Sequence, residues 1–257
     1  MPEALRSFFS AFAFLTVIPV PERMKSRREN GMFAGYPAAG LAIGLVLTAF
    51  AAGAQGLFPP AVAAVALVAL SLAVTGALHL DGLADCADAF YGSRDRETVL
   101  RILKDPRVGT MGAAAVGLAL LAEGASFLSL PARLLAVSLP VAGLFSRSVV
   151  LVALRVLPYV RGKSGILARK PSKGAGLAVL GGVSVLIALV LLPIPVAAAL
   201  AGLVVFWRVA WRKIGGCTGD VLGATIQIAE IAFFVALAAT ANAGLHPGLL
   251  YALLGGR

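Results

Sequence analysis

Three aspartates, Asp81, Asp85 and Asp88, fall within eight residues of the stretch HLDGLADCADAFYG. On a helix of 3.6 residues per turn, steps of four and three put all three carboxylates on one face. Like charges so placed repel, and they weaken the helix unless a counter-charge is present. A divalent cation supplies one. Spaced hard-oxygen ligands suit Mg²⁺, which keeps several waters and shares its shell with a substrate phosphate. The spacing therefore predicts an Mg²⁺ site at Asp81, Asp85 and Asp88, with a base for a hydroxyl proton drawn from Asp88 or Asp85. The competing reading is a solvated acidic turn neutralised by the nearby Arg94, Arg96, Arg101 and Lys104. It is the weaker one, because the chain has only 12 acids and these three close an apolar run.

The next stretch, SRDRETVLRILKDPRVGTMG, brings cations. Val99, Ile102 and Leu103 repeat at i, i+3 and i+4, which predicts a helix lying in the membrane interface. Pro106 ends it, since the residue before proline is pushed out of the α region. Lys104, Asp105 and Arg107 then sit on a loop ahead of Gly109 and Gly112, which open another apolar segment. Lysine and arginine beside a helix N-terminus suit phosphate, and Arg94 joins them as a substrate contact. Lys104 is counted with the catalytic aspartates, as a cation that neutralises phosphate charge. For Arg96 and Arg101, anchoring to lipid headgroups is a serious rival.

A second loop, GGCTGDVLGA, holds four glycines in nine residues. Thr218 offers a hydroxyl to substrate, and Asp220 either caps the following helix or joins the metal set. Capping alone would account for Asp220 but not for the glycines. Cys86 and Cys217 are far apart, lack histidine neighbours and read as small apolar fillers.

The elements that must position these residues are membrane helices. The chain has 257 residues, 60% of them hydrophobic and 13% charged, with a mean hydropathy of +0.94. Soluble domains carry about a quarter charged residues, so lipid must be the missing solvent. Apolar segments near 33–52, 60–78, 111–129, 134–157, 176–192, 195–211 and 222–240 predict an all-α, polytopic bundle of about seven spans, six to eight at the limits, in one domain over 1–257. The N-terminal stretch reads as a short interfacial or re-entrant helix, not a cleaved signal. Links between spans alternate between short uncharged ones and long ones rich in Lys and Arg. The positive-inside rule places the basic links, and nearly all the acids, on the cytoplasmic side of the cell's inner membrane. The net charge of +10 suits anionic lipid and phosphate-bearing substrates; no aromatic and basic surface for nucleic acid is visible.

HLDGLADCADAFYGSRDR, LKDPRVGTMG, SRSVV…LPYVR and GGCTGDVLGATIQIAE occur in that order, after an FLTVIPVP opening. In this the chain resembles the cobalamin synthase family, the adenosylcobinamide-GDP ribazoletransferases, essentially end to end. The aspartate block joined to KDPRVG is the specific part. The resemblance implies an Mg²⁺-dependent integral membrane enzyme that joins adenosylcobinamide-GDP to α-ribazole or its 5′-phosphate and releases GMP. It assigns Asp81, Asp85 and Asp88 to the acidic motif and Lys104, Asp105, Arg107 and Gly109 to a second. Arg147, Tyr159 and Arg161 fall in a mid-chain motif, and Gly216, Thr218, Gly219, Asp220 and Glu230 in the last. Three positions depart from the family pattern. Ala89 stands where glycine is usual, Gln227 where an acid is common, and Glu123 where a neutral or basic residue is expected.

A CDP-alcohol phosphatidyltransferase also uses spaced aspartates, but its Ala-Arg pair is missing here, since Ala84 is followed by Asp85. A cation-coupled transporter would explain charges inside spans but not the dense acids beside a loop. Counting inward from the basic ends, Glu123, Arg147 and Glu230 lie roughly 15–18 Å deep at 1.5 Å per residue. A lone arginine at that depth is costly. Arg147 is therefore expected to pair with Glu230, with Glu123 joining them or facing a polar cavity, as the floor of the substrate pocket. The sequence leaves a homo-oligomer open.

Overall fold

The computed structural model of the protein describes residues 1–28, 31–54, 56–92, 95–160, 175–245, 248, 249 and 252. Its helices are α1 (Glu3–Leu15), α2 (Gly31–Ala34), α3 (Tyr36–Ala54), α4 (Pro60–Thr75), α5 (Leu78–Phe90), α6 (Arg96–Ile102), α7 (Thr110–Ser129), α8 (Ala132–Val156), α9 (Ala175–Leu191), α10 (Pro193–Ile214) and α11 (Gly219–Asn242). The seven apolar segments expected from the sequence are α3, α4, α7, α8, α9, α10 and α11. Among the described residues five helices are long and apolar enough to cross a membrane; α4 and α9, at 16 and 17 residues, are shorter. Counting α4 and α5 as one broken span would give six, but they bend by 90°.

Burial divides the bundle. Helices α8 and α11 form its core, with Phe145, Val149, Phe233 and Leu237 fully enclosed. Helices α4, α7, α9 and α10 turn Val65, Leu118, Leu121, Val179 and Val205 outward. Large apolar side chains standing in the open are what a lipid-facing surface requires. Helix α3 packs on α8 through glycine: a Cβ on either Gly40 or Gly143 would run into the other's carbonyl oxygen. Without water to drive association, close backbone approach and dispersion hold such helices together. Thr48 Oγ1 adds a bond across that seam to the Ala136 carbonyl at 2.7 Å.

The break between α4 and α5 has a local cause. Gly76 and Ala77 both sit in the left-handed region, with φ of 60° and 55°. Glycine does this freely; alanine pays in strain. The segment after α1 is tied to this corner by Val17 N–H, which donates to the Val74 carbonyl at 2.9 Å. As the sequence predicts, α1 is a short helix apart from the spans, burying Ser7, Ala11 and Leu15 along one face.

Candidate active site

Helix α5 carries the three aspartates on one side, as their spacing predicts. Asp81 is exposed, whereas Asp85 and Asp88 are half-buried. Helix α5 lies on the first turns of α11, and glycine again sets the distance. A Cβ on Gly82 would come within 2.7 Å of the Asp220 carbonyl and 3.2 Å of Gly223 Cα. This contact brings Asp81 and Asp220 into the lining of one cleft of about 150 Å³, lined also by His79, Tyr36, Gly219 and Gly223. Asp85 and Asp220 both lie within electrostatic reach of the Cys86 thiol.

Asp88 has another task than the one expected. Its Oδ2 accepts the Gly109 N–H at 2.7 Å and its Oδ1 accepts the Gly112 N–H at 2.8 Å. Those amides belong to the start of α7 and lack partners within the helix, so a carboxylate there satisfies both and meets the positive end of the dipole. Asp88 thus clamps α5 to α7. The same bonds occupy amides that the sequence assigns to phosphate. Gly109 serves the clamp, and Ala89 continues α5 in full burial.

The loop between α6 and α7 is internally braced. Arg107 Nε and Nη2 donate to Asp105 Oδ1 and Oδ2 at 2.9 and 2.7 Å, and the Arg107 backbone N–H adds a third bond at 3.1 Å. The guanidinium bonds, then the amide, pull the Asp105 carboxyl down to about 2. Lys104 is exposed beside this pair. Neither Lys104 nor Arg107 lines the cleft. Helix α6 forms where predicted, with Asp95 as its cap accepting Thr98 N–H at 2.8 Å and with Val99 buried. Arg96 Nε donates to the Ile214 carbonyl at 2.9 Å and caps α10.

The glycines of the second loop serve different ends. Gly215, at φ 77°, ends α10 in the left-handed form. Gly216 lies against Pro158 so closely that a Cβ would strike that carbonyl. The two strands of chain are paired there, Val160 N–H to the Cys217 carbonyl and Cys217 N–H to the Pro158 carbonyl, both at 2.9 Å. Gly223 is the contact with Gly82, and Gly219 lines the cleft. Thr218 is buried and caps α11, accepting Val221 N–H at 3.4 Å and donating to Asp220 Oδ2 at 3.1 Å. That makes it a support for Asp220 and removes it from substrate contact. The pairing of Tyr159 with Cys217 brings the mid-chain motif to α11; Arg161 and Arg94 lie outside the described residues.

One layer deeper is the charge cluster expected from span depth. Arg147, 2% exposed, forms an ion pair with Glu230 and ties α8 to α11. Ser146 Oγ donates to Glu230 Oε1 at 3.0 Å and accepts from Arg147 at 2.9 Å. Glu123 faces the same small cavity. Its Oε1 accepts from Gln227 Nε2 at 2.6 Å. The two positions Glu123 and Gln227 are thus in direct contact between α7 and α11. The pair is not the pocket floor. His79 intervenes, 3% exposed, with Nδ1 at 3.4 Å from Arg147 Nη2. Sequence reasoning passed over His79, although it opens the aspartate block.

Among the described residues no three His, Cys, Asp or Glu side chains converge as a metal cage. The three-aspartate cradle therefore does not fit. Two carboxylates lining one cleft do fit the habit of Mg²⁺, which takes one or two carboxylates, water and substrate phosphate.

Fold and site together define a polytopic helical membrane protein with an acid-walled cleft at the end where its basic links gather. The sequence profile of the cobalamin-5-phosphate synthase family matches residues 7–238, and the chain belongs to that family. The adenosylcobinamide-GDP ribazoletransferase of Chlorobaculum parvum is 39% identical over 244 residues, 90% of this chain and 95% of the relative. Its namesake in Pseudomonas aeruginosa is 38% identical over 250 residues, 93% of this chain and 100% of the relative. That of Rhizobium meliloti is 41% identical over 249 residues, 88% and 93%. None of the three is named as a phosphatidyltransferase or a transporter. No solved structure matches.

Proposed function

We propose that the protein is an adenosylcobinamide-GDP ribazoletransferase. It transfers the adenosylcobinamide phosphate moiety to a ribose hydroxyl of α-ribazole or its 5′-phosphate and releases GMP. The observation that carries this reading is the placement of Asp81 and Asp220 in the lining of one cleft, in a chain that matches ribazoletransferases along nearly its whole length.

The reaction forms a bond between the ribose oxygen and the phosphorus attached to the corrin side chain. It breaks the bond from that phosphorus to the oxygen of GMP, which carries away the electron pair. Such transfers depend on positioning and charge neutralisation more than on covalent help. Asp81 and Asp220 are the residues that would hold Mg²⁺, and the ion would supply charge neutralisation to the substrate's phosphates. Asp85, half-buried one turn beyond Asp81, takes the hydroxyl proton. Lys104, exposed on the braced loop, meets phosphate charge at the rim, as does Arg107 beside it. Glycines at the α5–α11 seam fix the distance between the two helices. The cleft faces the cytoplasm of the cell's inner membrane, because the basic links lie at its end of the bundle.

GMP release in proteoliposomes tests the reading. It should require adenosylcobinamide-GDP, α-ribazole or its phosphate, and Mg²⁺, and should fail with any one omitted. Turnover of a CDP-activated lipid instead, with none of adenosylcobinamide-GDP, would replace it with the phosphatidyltransferase reading.

A further inference from the structure

The imidazole of His79 is held at one ring nitrogen and has no partner at the other. Arg147 has only protons to offer, so where its Nη2 meets His79 Nδ1 at 3.4 Å the ring nitrogen is the acceptor. A neutral ring whose Nδ1 accepts carries its proton on Nε2. That Nε2 is buried and has no hydrogen-bond partner among the described residues. An orphaned donor in an apolar bundle costs free energy and calls for a reason. His79 also lines the cleft between Asp81 and Asp220. Both α5 and α11 begin at this cleft, with Leu78 and Gly219 on its wall, so two helix N-termini direct positive dipole ends at its contents. With the cation that Asp81 and Asp220 would hold there, a phosphate oxygen is the acceptor such a donor can meet.

From this geometry we propose that His79 is a substrate-contacting residue: its Nε2–H donates a hydrogen bond to a phosphate oxygen of the activated substrate, beside Asp81. This rests on the transferase reading above. Arg147 is a positioning residue. Held by Glu230 and Ser146, it fixes which ring nitrogen bears the proton and turns the other toward it. His79 is thereby a donor to developing negative charge and not the base, which leaves proton removal to a carboxylate. It also gives the buried ion pair a functional role one layer away from any substrate atom.

The chain has two histidines, so His246→Gln leaves a single imidazole whose ¹⁵N spectrum reports the tautomer directly. The parent should show the Nε2–H form; a neutral ring protonated on Nδ1 would overturn the proposal. In proteoliposomes, His79→Phe should lower kcat about 10²-fold, the usual loss for one donor aimed at developing charge, with little change in KM. His79→Gln, whose amide N–H reaches near the Nε2 position, should stay within about tenfold of the parent. His79→Asn, with its amide near the Nδ1 position, should fall with the phenylalanine variant. Parent rates in His79→Phe, or equal rates in the glutamine and asparagine variants, would overturn it. That second comparison decides the matter even if the phenylalanine variant fails to fold. In Arg147→Lys the single tautomer should become a mixture; an unchanged spectrum would remove Arg147 from the proposal. A parent that releases no GMP sinks the transferase reading instead, and the tautomer still decides whether the ring is set as described.

Discussion

Arg147 is almost wholly enclosed, and its partners are specific: Glu230 and Ser146 at Nη1 and His79 at Nη2. Removing one member of a buried ion pair leaves a charge without compensation and costs about 3–5 kcal/mol. The two members should not cost the same. Without Glu230, the guanidinium still has Glu123 within electrostatic reach, so Glu230→Leu belongs at the lower end, near 3 kcal/mol. Without Arg147, Glu123 and Glu230 face one another across the small cavity with their shared cation gone. Arg147→Met belongs at the upper end, near 5 kcal/mol.

Adding these singles gives about 8 kcal/mol. The double variant Arg147→Met, Glu230→Leu removes both charges and fills the space with apolar side chains, which is often nearly neutral for such pairs. A coupling of several kcal/mol is therefore expected, above the roughly 0.5–3 kcal/mol usual for residues in contact. Equilibrium unfolding in mixed micelles measures it, followed by the fluorescence of Trp207 and Trp211. Trp207 is a suitable reporter because its Nε1 donates to Thr225 of α11 at 3.0 Å. Singles that add to the double within about 0.5 kcal/mol would mean no interaction. A Glu230 variant less stable than the Arg147 variant would refute the part given to Glu123.

Asp81→Asn should abolish most turnover and leave unfolding unchanged, whereas Asp88→Asn should cost about 2–3 kcal/mol of stability, the worth of hydrogen bonds to a charged group. Unaltered unfolding in Asp88→Asn would remove the clamp. Gln227→Glu alone puts a second carboxylate against Glu123 and should destabilise the bundle, while the exchange Glu123→Gln with Gln227→Glu should restore it; an exchange no better than the single change would contradict the pairing. The Asp105 carboxyl is held down by Arg107, so the brace is fully present above the ordinary carboxylate range and lost only as pH falls through about 2. A ¹³C titration of that carboxyl with a midpoint near the ordinary 3.9 would refute the bidentate contact. Cys86 and Cys217 are buried, so Lys104→Cys should label from the cytoplasm and Phe58→Cys from the other face; labelling of both from one face would undo the assigned orientation.

Periodicity along one helix shows in a sequence, and so does depth along one span. The common face of Asp81, Asp85 and Asp88 follows from spacing alone, and the Arg147–Glu230 pair follows from counting residues inward and asking what a lone cation would require. Partners across a loop do not show. Asp88 meets amides 21 and 24 residues further on, and nothing local marks it as different from Asp81. The left-handed Ala77 runs against the preference of its residue type, so the 90° corner that lays α5 over α11 is invisible to propensity. His79 reads as an apolar-edge histidine until Arg147 is seen behind it.

The crowded acids of α5 are tolerated because each faces a different demand. Asp88 answers the open amides of α7, which is a fixed positive site supplied by the fold itself. Asp81 points into the cleft, where α11 contributes Asp220 and the substrate brings phosphate. Asp85 lies between them. Packing makes this division possible: Gly82 allows α5 to touch the backbone of α11, so the cleft side of the helix is matched to α11 while its far end is matched to α7. Replacing Gly82 by alanine, which adds one methyl group, would press on the Asp220 carbonyl and separate the two carboxylates without touching either. If the acids acted only as a local acidic turn, that substitution would leave turnover intact; if they act across the α5–α11 seam, it lowers turnover while the Asp88 clamp holds.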